Sequence, residues 1–338
     1  MKDYLVDVSV LLIFFSRSEQ FKQVFEQVKK ARPSRLFLYQ DGPRADREDD
    51  IKGIMACRAI AEDIDWNCKV ERLYQKENKG CDPSEYLAQK WAFSYVDKCI
   101  VLEDDDVPAI SFFTFCKDLL DRYEYDNRIM LISGFNHEEV TKGLPYDYLF
   151  TSNVSIWGWA TWKRVIDTWD AKYEFLEDEY AMRLFQLKLK NAQLLRGLTK
   201  VCERHKKENK EFYETILISN QWMQNGLSIV PRKNMITNIG IISDSTHFSG
   251  DIQSQPKAMQ KIYTMKRFEI KFPLKHPKYI MEDYEFKDRV YRIMGWNHPL
   301  VKIYRSLEVL LKRIARGNGI DGIRDFRSKI YCLLKQGR

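Results

Sequence analysis

The sequence predicts an α/β fold, a mostly parallel sheet flanked by helices, followed by a basic helical extension. Two observations carry this. Short runs of β-branched and aromatic residues alternate with helix-period segments over residues 6–133, with short connections, which is the pattern of βα units joined by right-handed crossovers. The apolar run Cys99–Leu102 then ends abruptly in four consecutive carboxylates, Glu103 to Asp106, where a buried parallel strand delivers its last residues to a ligand crevice.

Taken in order, Val6–Phe15 reads as the first strand, and Ser18 can cap a helix whose Phe21, Val24, Phe25 and Val28 follow helical spacing. Leu36–Tyr39 is a second strand, closed by Gln40-Asp41-Gly42-Pro43-Arg44, a turn by composition. Ile51, Ile54 and Met55 mark the next helix, and Trp66–Leu73 a third strand with Trp66, Cys68 and Val70 in alternation. Asp82-Pro83-Ser84-Glu85 predicts a helix start, with Asp82 as cap, Pro83 at the first position and Glu85 completing a capping box. Strand Cys99–Leu102, a helix over Phe112–Tyr123 and strand Ile129–Ser133 complete the alternation. Past residue 150 it fades: Glu211-Phe-Tyr213-Glu214 precedes a helical run through Trp222 to Gly226, and Leu227–Pro231 reads as a strand.

Hydrophobic residues at 44% and aromatics at 13% argue against disorder. Val8–Phe15 is too short to cross a bilayer and lacks a signal peptide's basic start and cleavage site, so neither a transmembrane helix nor an export signal is expected. The seven cysteines form no CxxC pair, which suggests neither a zinc site nor a disulfide framework and fits a reducing cytoplasm. Charge is unevenly placed. Residues 299–338 hold ten Lys/Arg and three acids, a surplus of seven that equals the net charge of the whole chain. The basicity therefore belongs to the tail.

The acidic run is the centre of the functional reading. On an extended chain Glu103 and Asp105 share one side, Asp104 and Asp106 the other. Hard oxygen ligands so close together suit Mg²⁺ or Mn²⁺, with water and substrate phosphate completing the shell; a solvated acidic turn is the plainer alternative. At the neighbouring strand ends, Arg17 is a candidate for phosphate or base and Asp41 for base or ribose, each with an ordinary loop charge as the alternative. Phe15-Ser16-Arg17-Ser18 matches neither G-x-G-x-x-G nor the P-loop, so a metal rather than a glycine nest is expected to hold any diphosphate. Trp157, Gly158, Trp159 and Trp162 suit a flat platform on which a sugar stacks, or a core cluster. Glu214 is the acid expected to face inward from its helix, and His247 can reach a metal–diphosphate, although a helix Glu is usually solvated and a lone His structural.

Together, Asp41-Gly-Pro-Arg44, Asn78-Lys-Gly-Cys81, Leu102-Glu-Asp-Asp105, Ile132-Ser-Gly134, Trp157-Gly-Trp-Ala-Thr-Trp162, Asn225-Gly-Leu-Ser-Ile-Val-Pro231 and Asn238-Ile-Gly-Ile…Asp244-Ser-Thr-His247 resemble bacterial GT-A-fold glycosyltransferases. More distantly they resemble the N-acetylglucosaminyltransferase I type. The resemblance covers residues 5 to 250 and rests on the joint order of motifs. It implies a Rossmann-like GT-A catalytic domain over 1–250, with a nucleotide-binding half at 1–135 and an acceptor half at 136–250, then an extension over 251–338. It implies a nucleotide-sugar donor, UDP-linked by default, a divalent metal and inversion at the anomeric carbon. Carried over by residue, Asp105 is similar to the family's metal ligand and His247 to its histidine near metal and diphosphate. Glu103 and Asp104 would contact ribose and donor sugar, and Arg17, Asp41 and Lys79 complete the donor-binding set. Where relatives carry Trp-Asp as the base, this chain has Tyr213-Glu214, and Asp106 stands where relatives have Cys or Leu.

The tail carries apolar stripes at Leu300, Ile303, Tyr304, Leu307, Leu310, Leu311 and Ile314 and at Ile320, Ile323, Phe326, Ile330 and Leu333, flanked by basic residues. Such helices bind anionic membrane surfaces, which would place the protein peripherally on the inner face of the cell membrane and suit a glycan or lipid-linked acceptor; packing on the catalytic domain or in a dimer is the alternative. No nucleic-acid module is recognisable. Two rival functions remain: a degenerate nucleotide-sugar-binding protein, and a sugar nucleotidyltransferase, which needs a Gly-rich basic loop after the first strand where Phe14–Gln20 holds no glycine.

Overall fold

The computed structural model describes residues 1–189, 192–241, 252–296 and 298–315. The elements, in order, are β1 (Val6–Phe14), α1 (Ser18–Ala31), β2 (Pro33–Gln40), α2 (Glu48–Ala61), β3 (Lys69–Tyr74), α3 (Cys81–Ala92), β4 (Lys98–Glu103), β5 (Asp106–Pro108), α4 (Ser111–Arg122), β6 (Ile129–Ser133), β7 (Tyr148–Thr151), β8 (Trp159–Trp162), α5 (Lys163–Ile166), α6 (Glu179–Leu189), α7 (Ala192–Glu208), α8 (Tyr213–Met223), β9 (Leu227–Pro231), β10 (Ile236–Asn238), α9 (Lys257–Tyr263), α10 (Tyr284–Met294) and α11 (Pro299–Ala315). They fall into two compact units: residues 1–173, 204–240 and 266–283, and the remainder. The units interleave along the chain, whereas the sequence reading draws a single boundary at 250.

The first unit is a mixed α/β body on an eight-stranded sheet in the order β3-β2-β1-β4-β8-β6-β9-β7. β1 to β4, β6 and β9 run one way, β7 and β8 the other, so the sheet is mostly parallel. Strands inside such a sheet are buried on both faces and read as continuous apolar runs. In β1, Val8, Val10, Leu12 and Phe14 join the core that α1, α2 and α4 cover, while Leu11 and Ile13, also buried, point the opposite way. α3 and α8 cover that second face, where the Phe37 ring of β2 meets Trp91 edge-on at 5.4 Å. Helix α1 buries Phe21, Val24, Phe25, Val28 and Ala31 along one stripe, each large side chain contributing about 1.5–3 kcal/mol. It stops because Arg32 turns left-handed (φ 46°), its N–H bonding Val28 O, and Pro33 cannot continue a helix.

Two local expectations are corrected. The third strand is Lys69–Tyr74, not Trp66–Leu73: Trp66 makes only an isolated bridge to Lys2, and its buried indole donates to Pro33 O at 2.8 Å. α3 starts at Cys81 behind Gly80, so Asp82 is not the cap and Glu85 turns inward instead of closing a capping box. Past residue 150 the βα alternation does lapse: β7 and β8 follow β6 with no helix between and join the sheet antiparallel, with the Trp-rich run forming β8 between β4 and β6.

The described part of the second unit is helical: a 3₁₀ turn at Glu174–Glu177, α6, the first part of α7, and α9 to α11. Glu308 of α11 accepts the Lys257 N–H of α9 at 2.9 Å and pairs with Lys312 at 3.2 Å. No described helix is long and apolar enough to cross a membrane. Residues 320–333 lie outside the described residues.

Candidate functional site

The sheet register assembles the site. β1 and β4 are parallel with Ile13 opposite Glu103, so the loop after β1 and the acids after β4 emerge at the same edge. There the Phe15 N–H donates to Asp104 at 3.2 Å, and Arg17 bonds Asp104 and pairs with Asp105 at 2.9 Å. Antiparallel β8 begins at this edge, and the Gly158 N–H just ahead of it donates to Asp106 at 2.8 Å. β10 pairs with β5 antiparallel, setting Asn238 opposite Asp106, where its amide donates to Asp105 at 2.8 Å and to Asp106 at 3.1 Å.

Strand parity places Glu103. Ile100 and Leu102 face the α1/α4 core, so Val101 and Glu103 face α3 and α8. On that side the buried Tyr213 of α8 donates its hydroxyl to Glu103 at 2.9 Å. Asp104 and Asp105 turn out of the strand before β5 begins, which corrects the alternating-face expectation: Arg17 touches both, and Asn238 both Asp105 and Asp106.

Desolvation governs the electrostatics. It pushes the Asp104 carboxyl up to about 6 against the pull of Arg17. Glu103 is raised well above its ordinary range by desolvation and then by Glu85, and Asp106 by desolvation and Asp105. Glu85 is itself buried and raised, and its Oε2 has no hydrogen-bond partner among the described residues. For Arg17 desolvation works the other way, but Asp104 and Asp105 outweigh it and hold the guanidinium charged.

The other predicted residues are distributed as follows. Asp41 is buried and braces the segment after β3, accepting from the N–H groups of Gly42 and Lys79 at 2.8 Å and Gly80 at 3.0 Å and from the Asn78 amide at 2.9 Å. Both its oxygens are thereby doubly occupied. Lys79 keeps its ammonium exposed, 4.0 Å from Glu77. Trp157 is half-buried against Phe135, ring centroids 4.7 Å apart. Trp159 and Trp162 are 1% and 2% exposed, which corrects the platform expectation: of its three tryptophans, Trp157 alone has a face to offer. Gly158 takes φ +57°, and a Cβ there would lie 2.4 Å from Ile236 Cδ1. Glu214 is exposed in the first turn of α8, so the inward residue of the pair is Tyr213. His247 lies outside the described residues.

The metal expectation can be tested on Asp105. One carboxylate plus substrate phosphates suffices for Mg²⁺ or Mn²⁺, so the occupancy of its oxygens decides. Oδ1 accepts from Asn238, Oδ2 pairs with Arg17, and Gly240 packs so close that a Cβ would lie 2.1 Å from Oδ2. Among the described residues no three His, Cys, Asp or Glu side chains are grouped to hold a metal ion. Oδ2 therefore has little room for a divalent ion while Arg17 holds it, and an ion at Asp105 would compete with Arg17 or bind Oδ1 alone.

Sequence reasoning missed Tyr213, Asn238 and Glu85 as members of the site. Glu85 and Gln89, one turn apart and both buried beside small Ala88 and Ala92, mark an inward polar stripe on α3 that only the true helix start reveals.

No protein-family model and no curated protein matches the chain. Among solved structures, a UDP-glucose pyrophosphorylase complexed with UDP-glucose is similar at 10% identity, over 68% of this chain and 92% of that one, with a TM-score of 0.33. An inositol-1-phosphate CTP transferase from T. maritima is similar at 9% identity, over 77% and 96%, with a TM-score of 0.37. Likeness of this degree carries no argument about what this chain does. The chain's own sheet defines its class, a mixed α/β protein of Rossmann-like build.

Proposed function

We propose that the chain is a nucleotide-sugar-dependent glycosyltransferase that moves a sugar, with inversion, from a nucleoside-diphosphate donor to a hydroxyl of a glycan or lipid-linked acceptor. The observation that supports it is the buried acidic turn at the carboxyl edge of β4, bonded by Tyr213, Asn238 and Gly158 and covered by Arg17. In open α/β sheets this edge is where ligands bind.

The acceptor oxygen attacks the anomeric carbon from the face opposite the diphosphate. The carbon–oxygen bond to the diphosphate breaks, its electron pair leaves with the phosphate, and Glu214, at the exposed start of α8, takes the hydroxyl proton. Arg17 and Lys79 receive the diphosphate, Glu103 and Asp104 orient ribose and sugar, and Trp157 beside Gly158 offers the ring a flat contact. Asp41 acts through the loop it braces, and Trp159 through packing alone. The exposed apolar residues Leu300, Tyr304, Leu307, Leu311 and Ile314 of α11, with the basic tail, support docking on an anionic membrane that carries the acceptor.

A sugar nucleotidyltransferase would use the same sheet but form pyrophosphate. Incubation with UDP-, GDP-, CMP- and dTDP-sugars, read as nucleotide release, tests the reading; pyrophosphate from a nucleoside triphosphate and a sugar phosphate would replace it with the rival.

A further inference from the structure

We propose that Arg17, rather than a divalent ion, supplies the positive charge that receives the nucleoside diphosphate; the inference rests on the transferase reading above. The order of the layers at the site is its basis. Arg17 keeps 26% of its side chain exposed, while Asp104 and Asp105 beneath it keep 4% and 9%. An anion approaching this edge therefore meets the guanidinium before it meets a carboxylate.

The guanidinium has donors to spare. It carries five N–H groups in a rigid fork, and its two ion pairs engage one carboxylate at each terminal nitrogen. The remaining N–H groups can bond phosphate oxygens while the acids hold the fork in place, as charge-assisted bonds of the stronger kind. The helix behind it adds to this. α1 begins at Ser18, directly after Arg17, and among the described residues no side chain caps its N-terminus, so its dipole favours negative charge at the same point.

The alternative place for a cation is crowded. Asp105 is occupied by Arg17 and Asn238, with Gly240 packed against Oδ2. A divalent ion at Oδ2 would have to displace Arg17, leaving a cation to find a new partner beside the incoming metal. Arg17 thus plays on the acidic turn the part that the resemblance assigns to Mg²⁺ or Mn²⁺.

The test is binding of UDP, GDP, CDP and dTDP to the full chain by calorimetry, in EDTA and in MnCl₂. The expected result is that one diphosphate binds in EDTA with a Kd within about threefold of its value in Mn²⁺. Arg17→Ala should weaken that binding about 30-fold in both buffers, and Arg17→Lys should restore part of it. Because Arg17→Ala leaves buried acids unpaired and can unfold the chain, an independent measurement on the unaltered protein is the EPR signal of Mn²⁺ with and without protein at saturating diphosphate. No protein-dependent change is expected. Binding that appears only with Mn²⁺, or a protein-bound Mn²⁺ signal, overturns the inference and leaves the transferase reading standing. Absence of binding by all four diphosphates in both buffers overturns the reading itself, and the inference with it.

Discussion

Glu103 owes its place to parity along β4. That much follows from the sequence, since an apolar strand ending in acids must send alternate side chains to opposite faces. What the sequence could not show is which partner waits on each face: Tyr213 lies 110 positions away, and only the packing of α8 beside α3 brings its hydroxyl to Glu103. Tyr213→Phe removes that donor and should cost about 1–2 kcal/mol of stability by urea titration, with loss of turnover exceeding the loss of donor binding. His137, after β6, supplies a separate pH effect. Burial pushes its imidazole down to about 4. Between pH 6.5 and 4 the unfolded chain takes up a proton at this site that the folded chain refuses, so stability falls as the pH drops, by about 2–3 kcal/mol over the window. Urea titrations of His137→Gln across that range should lack this share of the slope. An identical slope in the variant would assign the pH dependence elsewhere.

At the scale of elements, β1, α1, β2, α2, β4, α4 and β6 are legible because each carries its own local pattern, and α1 shows it in the stripe Phe21, Val24, Phe25 and Val28. Elements whose logic is non-local are not. β8 holds four residues, and its tryptophans resemble a ligand platform until its antiparallel pairing with β4 and β6 buries Trp159 and Trp162. The start of α3 misled in the same way: Asp82-Pro83 has the chemistry of a cap, yet the left-handed Gly80 (φ 87°) opens the helix earlier and turns Glu85 toward Glu103. Gly158 ties the elements to the site, since its backbone is left-handed and its N–H holds Asp106. Gly158→Ala should destabilise the fold by about 2 kcal/mol or more, the sum of backbone strain and the clash with Ile236, seen as a lowered Tm.

For the whole molecule, sheet class and charge placement were readable from composition and order, because burial on both faces and a surplus of seven charges in the last forty residues leave plain marks. The interleaving of two units was not, because residues 266–283 return to the first unit after a long excursion, as when the Phe268 N–H bonds Asn234 O at 2.8 Å. The exposed apolar face of α11 predicts co-sedimentation with phosphatidylserine vesicles that weakens as salt rises, and little with neutral ones. The central claim is sugar transfer at the β4 edge. Its most direct measurement is nucleotide release from the donor panel by the unaltered chain beside Glu214→Gln. One nucleotide-sugar turned over, and turnover reduced at least about a hundredfold in the variant at unchanged donor affinity, is the result predicted. No donor consumed, or equal rates in both proteins, would contradict it.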